Sequence, residues 1–425
     1  MANFSQRKIA RESIEGSNPN EIDGLSNVEP GEENLDTQLA EMASDDAQLE
    51  QLEGDGQTLS DDIDRTESAV SAADEAEANG EELSEESIAH TEVAQESIRR
   101  RWGIDVPRVA RESFRRGRGM TKAAGEGWKD TLKDLWKRFI EFCKTVVNKI
   151  RDVKLKYLNV GKTAQGRAKK YLEAIRKLGK KEKDNISGGF ISKLSIDGKF
   201  NIDSSIAVAK DVVGGKVKGA ISAMAAQADS TATYVAKTAD GETQAATSIG
   251  GGKVELFGTT ATKLQNLPQF ENGEGQKLMA LPGNAYIQSG SKSLAGDAEF
   301  VAIAFMATGD ATDDKEIETP ATGKLSVAAS ALDTIGKGFE KVLQDFRAYD
   351  SGVEKLLKAA ESAAAKFDKA TEDSDRQVLS AARSAADQAV KNYQTLHRAV
   401  SYTANTVITG LNGYIGAGIG AYKKA

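Results

Sequence analysis

Between residues 128 and 157 apolar side chains return at helical spacing. Trp128, Leu132, Leu135, Trp136, Phe139, Phe142, Cys143, Val146, Ile150, Val153 and Tyr157 fall on one stripe. Steps of three and four residues place such positions on one face of an α-helix, so an amphipathic helix is predicted there. The last hundred residues repeat this period twice. Leu343, Phe346, Val353, Leu356 and Leu357 make one stripe, and Val378, Ala382, Ala385, Ala389, Tyr393 and Leu396 make another. With a break near Thr371–Asp375, this predicts two long antiparallel helices whose alanines permit close packing.

The stretch between these helices changes period. Lys193–Ile202 alternates around Asp197-Gly198, a hairpin signal, and Ala285–Gly290 and Ala298–Gly309 read as further strands. Ser205–Ala228 reads as a helix interrupted at Gly214-Gly215, and Lys177–Gly189 as a Lys/Gly linker. The tail Gly413–Tyr422 carries small residues four apart at Gly416 and Gly420. Its apolar run falls short of the ~20 residues needed to span a bilayer, so it reads as a closely packed helix end. Residues 15–92 have too little apolar surface to offset chain entropy. They are predicted to be disordered, with at most marginal helix around Asp61–Ala78. The expected architecture is α+β: a disordered acidic segment over 1–112, a basic amphipathic helical region over 113–183, a small antiparallel-sheet α+β domain over 190–325, and a C-terminal helical hairpin over 326–425.

Charge sharpens that division. The chain has a formal net charge of −8, yet residues 1–98 hold 27 acidic against 4 basic residues, and residues 113–183 hold 22 basic against 7 acidic. The polar face of the first helix carries Lys129, Lys133, Lys137, Arg138, Lys144, Lys149, Arg151, Lys154 and Lys156. Three readings of this helix compete. It could lie on a membrane surface, contact nucleic-acid phosphates, or bury its stripe in the protein's own core. The charges face solvent in every case, which makes these nine residues candidate DNA contacts.

A short word recurs across the acidic part: "IARESI" (Ile9–Ile14), "EESI" (Glu85–Ile88), "VAQESI" (Val93–Ile98) and "VARESF" (Val109–Phe114). An exposed, flexible segment is where a protease can read such a word. A composition rich in Ala, Glu and Ser could also produce it without any role. The word, the aromatic basic helix of Gly127–Leu158 and "ALPGNAYI" (Ala280–Ile287) together resemble the internal head proteins of giant tailed bacteriophages. The resemblance implies an N-terminal propeptide removed by a prohead protease after Glu in small-x-Glu words. On that reading the cuts fall at Glu112-Ser113, with Glu96-Ser97 as second choice and Glu12-Ser13 as an early trimming site. The protein is then expected to lie in the head interior, with other head proteins and packaged DNA as partners. Cutting after Glu112 would leave 47 basic and 35 acidic residues, turning an acidic precursor into a basic product.

Catalytic signals are sparse. The single cysteine, Cys143, lies on the apolar stripe, and the two histidines, His90 and His397, are far apart in sequence. No disulfide framework, zinc site or cofactor is expected. "NVGKTAQG" (159–166) and "IGGGKVE" (249–255) lack the full phosphate-loop word and read as turns. The start "MANFSQRKIA" has no apolar core, so synthesis in the host cytoplasm is expected. The sequence thus points to a non-enzymatic virion protein. The alternative is a membrane-active ejection protein whose Trp128–Tyr157 helix and Gly-rich tail insert after release.

Overall fold

The computed structural model describes residues 35–79, 96–104, 118–240, 254–262, 272–293, 299–308, 312–367 and 373–424. In chain order the elements begin with helices α1 (Leu35–Asn79), α2 (96–102) and α3 (Arg118–Arg176), followed by strands β1 (Leu178–Lys181) and β2 (Asn185–Ile186). A short helix, α4 (Phe190–Lys193), leads into strands β3 (Ser195–Ile196) and β4 (Lys199–Phe200), then helices α5 (Ile202–Gly214) and α6 (Lys218–Ala239). Strands β5 (Thr259–Thr260), β6 (Asn272–Leu281), β7 (Ala285–Ser293), β8 (Glu299–Ala307) and β9 (Ile317–Glu318) come next. The chain closes with α7 (Thr322–Phe367), α8 (Asp373–Ile419) and β10 (Tyr422–Lys424).

The predicted aromatic stripe is buried as a core face of α3, from Trp128 to Tyr157, with Phe142 half-buried. α7 packs antiparallel along it, and α8 returns antiparallel to α7, as the two C-terminal stripes predict. Val378 departs from its stripe and is exposed. The fourth long helix was not expected. Residues 35–79, read from sequence as disordered, form α1, which lies in the groove between α3 and α8 and completes an antiparallel four-helix bundle.

The reason lies in a sparse but regular pattern. Leu35, Met42, Leu49, Gly56, Ile63 and Val70 recur every seven residues, and all are buried. The positions three and four further on also turn inward, but acids and hydroxyls share them with Leu39, Leu59 and Ala73. Apolar content alone falls short, and partners on α3 and α8 satisfy the polar remainder.

The small sheet has strand order β5-β6-β7-β8, antiparallel throughout. It sits on α6 and α8 rather than standing apart. The Asn392 amide donates to the Val301 carbonyl at 2.6 Å and accepts from the Ile303 amide at 3.1 Å. The Asp197-Gly198 turn forms as predicted between β3 and β4, with φ of 54° and 81° at its two residues. The ALPGNAYI segment supplies the β6–β7 turn, and both Gly283 and Asn284 donate backbone N–H bonds to the Ser195 carbonyl. The Asn284 side chain accepts from Gly198 at 2.8 Å, so the two turns interlock.

Two local readings are corrected. The stretch 177–189 is no open linker, because β1 pairs with β10 and β2 with β9, tying the end of α3 to the C-terminus. "NVGKTAQG" is helical, not a turn: it lies inside α3, where Gly161 meets Gly336 of α7. "IGGGKVE" lies largely outside the described residues.

Candidate polyanion interface and its acidic cover

All nine candidate DNA-contact residues have an acidic partner, and they fall into three groups. Lys133, Lys137 and Arg138 pair within α3, with Asp130, Asp134 and Glu141 at 3.1–3.4 Å. Lys144, Arg151 and Lys154 reach across to Glu361, Glu354 and Asp350 of α7. Lys129, Lys149 and Lys156 face α1: Lys129 pairs with Asp74 at 2.8 Å, and Lys149 and Lys156 converge on the buried Asp45 at 2.6 Å.

Lys154 is not a surface group. It is buried, bonds Asp350 and Tyr393, and lies over the Phe346 and Tyr393 rings. Burial outweighs the neighbouring Asp350 and holds its pKa below the usual lysine value. A charge without water needs such partners.

The acidic cover extends to basic residues that the sequence reading did not single out. Arg167 of α3 pairs with Asp36 at 3.2 Å. Arg383 and Arg398 project from α8 with side chains 1 % and 3 % exposed, so both depend on their partners for their charge. Arg383 pairs with Asp64 and with Glu67, the latter at 3.5 Å. Arg398 meets Asp46 at 3.4 Å, Glu50 at 2.9 Å and Glu53 at 3.0 Å, and stacks over Phe305. Burial pushes the Asp46 carboxyl up to about 6 despite Arg398, and raises Glu67 despite Arg383. Neutral contacts join the seam: Ser60 donates to Asp387 at 3.0 Å and Gln394 to the Leu49 carbonyl at 2.7 Å. The recurrence of acids beside the apolar positions of α1 was the signal for these arginines.

The proposed cut sites are placed unequally. Glu96 and Ser97 open α2. The Ser97 hydroxyl and Trp102 indole donate to the buried Asp62 carboxylate at 3.0 and 2.9 Å, and Ile98 is buried. A protease needs extended backbone, so this bond is guarded while α2 stays docked. Glu112-Ser113 and Glu12-Ser13 lie outside the described residues.

The remaining reactive groups belong to the core. Cys143 is a free, buried thiol whose pKa burial raises. His397 is packed beside Phe346 and Tyr157, with burial holding its pKa well below the ordinary value. Among the described residues no cluster of His, Cys, Asp and Glu could hold a metal ion, and no helix is long and apolar enough to cross a membrane.

Long helices, paired charges and a guarded seam define a protein of the helical-bundle class. Its family is shown by a match over residues 44–417 to the model of phiKZ-like phage internal head proteins, and the chain belongs to that family. Membership implies a place in the interior of the virion head. Neither a curated protein nor a solved structure matches the chain.

Proposed function

We propose that this internal head protein is made as a precursor whose acidic helix α1 holds the basic body closed, and that cutting after Glu112 removes the tether, so that packaged DNA can displace α1 and lie against the body. The observation that carries this reading is the cover itself. Acids of α1 pair with Lys129, Lys149, Lys156 and Arg167 of α3 and with Arg383 and Arg398 of α8. In effect α1 occupies the anion sites of the body. A tethered acidic helix competes with DNA at high local concentration, and a cut removes that tether. A prohead protease would act on the chain between α2 and α3, because the Glu96-Ser97 bond is held in a docked helix.

The test is the intact mass and N-terminal sequence of the protein recovered from its native particle. A start at Ser113 is expected. A start at Met1 or Ala2 would end the precursor reading. An ejection role through insertion of the Trp128–Tyr157 stripe finds less support, because α1, α7 and α8 already bury that stripe.

A further inference from the structure

Among the described residues, one cationic surface has no acidic cover. Lys162, Lys169 and Arg176 stand seven residues apart on α3, on the side away from the buried Ala164, Ala168, Tyr171 and Ile175. Lys177, Lys180 and Lys183 continue the strip past the helix end and along β1. All six are exposed, and none forms an ion pair with another described residue. Residues 159–183 hold nine basic and two acidic residues, and one of those acids, Glu182, is occupied by Lys423 at 3.3 Å. The helical part alone extends about 21 Å at 1.5 Å per residue. It is rigid, because the inner face of α3 is buried and β1 is paired to β10.

We infer that this strip is a docking surface for the phosphate backbone of duplex nucleic acid, open even while α1 is in place. The inference rests on the DNA reading above but moves the contact to residues outside the nine first singled out. Three features select the partner. The strip is linear and its charges are unpaired, which suits a regular row of phosphates. It offers no exposed aromatic ring for stacking unpaired bases, which single-strand binding requires. A single exposed leucine, Leu155, stands one heptad before Lys162 on the same face, and Val327 and Val378 belong to other helices, so the strip lacks the apolar centre of a protein interface.

The experiment uses the full chain and two labelled duplexes of unrelated sequence, with binding followed by fluorescence anisotropy between about 50 and 200 mM salt. Wild-type protein should bind both duplexes equally. Combining Lys162→Gln, Lys169→Gln, Arg176→Gln and Lys177→Gln should flatten the plot of log affinity against log salt by roughly 0.9 per lost contact, up to about 3.6 in all. The control Lys133→Gln, Lys137→Gln, Arg138→Gln should keep the wild-type slope. All of these residues are exposed but the half-buried Lys133, and unchanged circular dichroism would confirm that each variant folds. A strip variant with the wild-type slope would overturn this assignment and leave the DNA reading standing. Wild-type protein that binds neither duplex would overturn both. Loss of binding to anionic vesicles without loss on duplexes would also overturn it, in favour of a lipid headgroup surface.

Discussion

Arg383 and Arg398 are guanidinium groups taken almost wholly out of water, and carboxylates from a different helix neutralise them. Removing one member of such a buried pair leaves the other uncompensated, at a cost of about 3–5 kcal/mol. Arg398→Met should therefore lower stability by that order, with Asp46 and Glu53 left without their cation; Glu50, largely exposed, adds little. Urea unfolding measures this, and Lys137→Gln, whose ion pair is exposed, should stay within about 0.5 kcal/mol of wild type. Asp46 also gives the seam a pH dependence. Its carboxyl titrates near 6 in the folded chain against an ordinary value of 3.8, so over that interval the folded state holds a proton that the unfolded state lacks. Its burial penalty is therefore full above pH 6, falls as pH drops through 6, and levels off below about 4. Compared with Asp46→Asn, wild type should gain relative stability between pH 7.5 and pH 4.5. An unchanged difference between the two urea midpoints would contradict the raised carboxyl.

At the scale of elements, α3, α7 and α8 were legible because Trp, Phe, Leu and Ala mark their buried faces continuously. The Asp197-Gly198 hairpin and strands β7 and β8 were legible from alternation and turn chemistry. α1 was not, because its seven-residue apolar repeat is diluted by Asp46, Glu53, Ser60 and Glu67, which a propensity reading counts as solvent-facing. Their burial depends on arginines more than 300 residues away in sequence. β1 and β2 were hidden for a similar reason, since each is only a few residues long and pairs with a strand far along the chain, β10 and β9 respectively. Gly161 was misread as a loop residue. A Cβ there would lie 2.6 Å from the Gly336 carbonyl oxygen, so glycine sets how closely α3 and α7 approach. Gly161→Ala should destabilise by roughly 1–3 kcal/mol through that backbone clash. Gly166→Ala on the same helix meets nothing within 4 Å and should be neutral or slightly stabilising. Thermal unfolding of the two variants side by side distinguishes a packing contact from a general helix effect.

For the whole molecule, charge along the sequence suggested two separate bodies divided near residue 112. Opposite charges distant in sequence are attracted in space, and the structure packs them against each other. The charge network was thus half legible: its nine basic residues on α3 stand in the sequence, while the carboxylates that neutralise them, the burial of Lys154 and the strip beginning at Lys162 became visible only with the helices assembled. One consequence is measurable. Cutting the chain between residues 104 and 118, at an introduced protease sequence, should not release α1, because the seam with α3 and α8 is independent of that connection. Native mass spectrometry at low salt should find both pieces in one particle, and urea should separate them. Immediate separation at low salt would show that the connection, rather than the seam, holds the helix.

The mixed seam also gives the helix a direction of travel. A segment whose apolar positions are this sparse, with carboxylates and hydroxyls sharing its inner face, buries too little on its own to fold alone. A peptide of residues 35–79 should give a coil spectrum by circular dichroism in water, becoming helical only when the remainder of the chain is added. Once it leaves its seat it becomes a loose polyanion, open to any peptidase nearby. In a compartment with active proteolysis, departure would therefore be a one-way step, a ratchet whose pawl is the helix's own inability to persist.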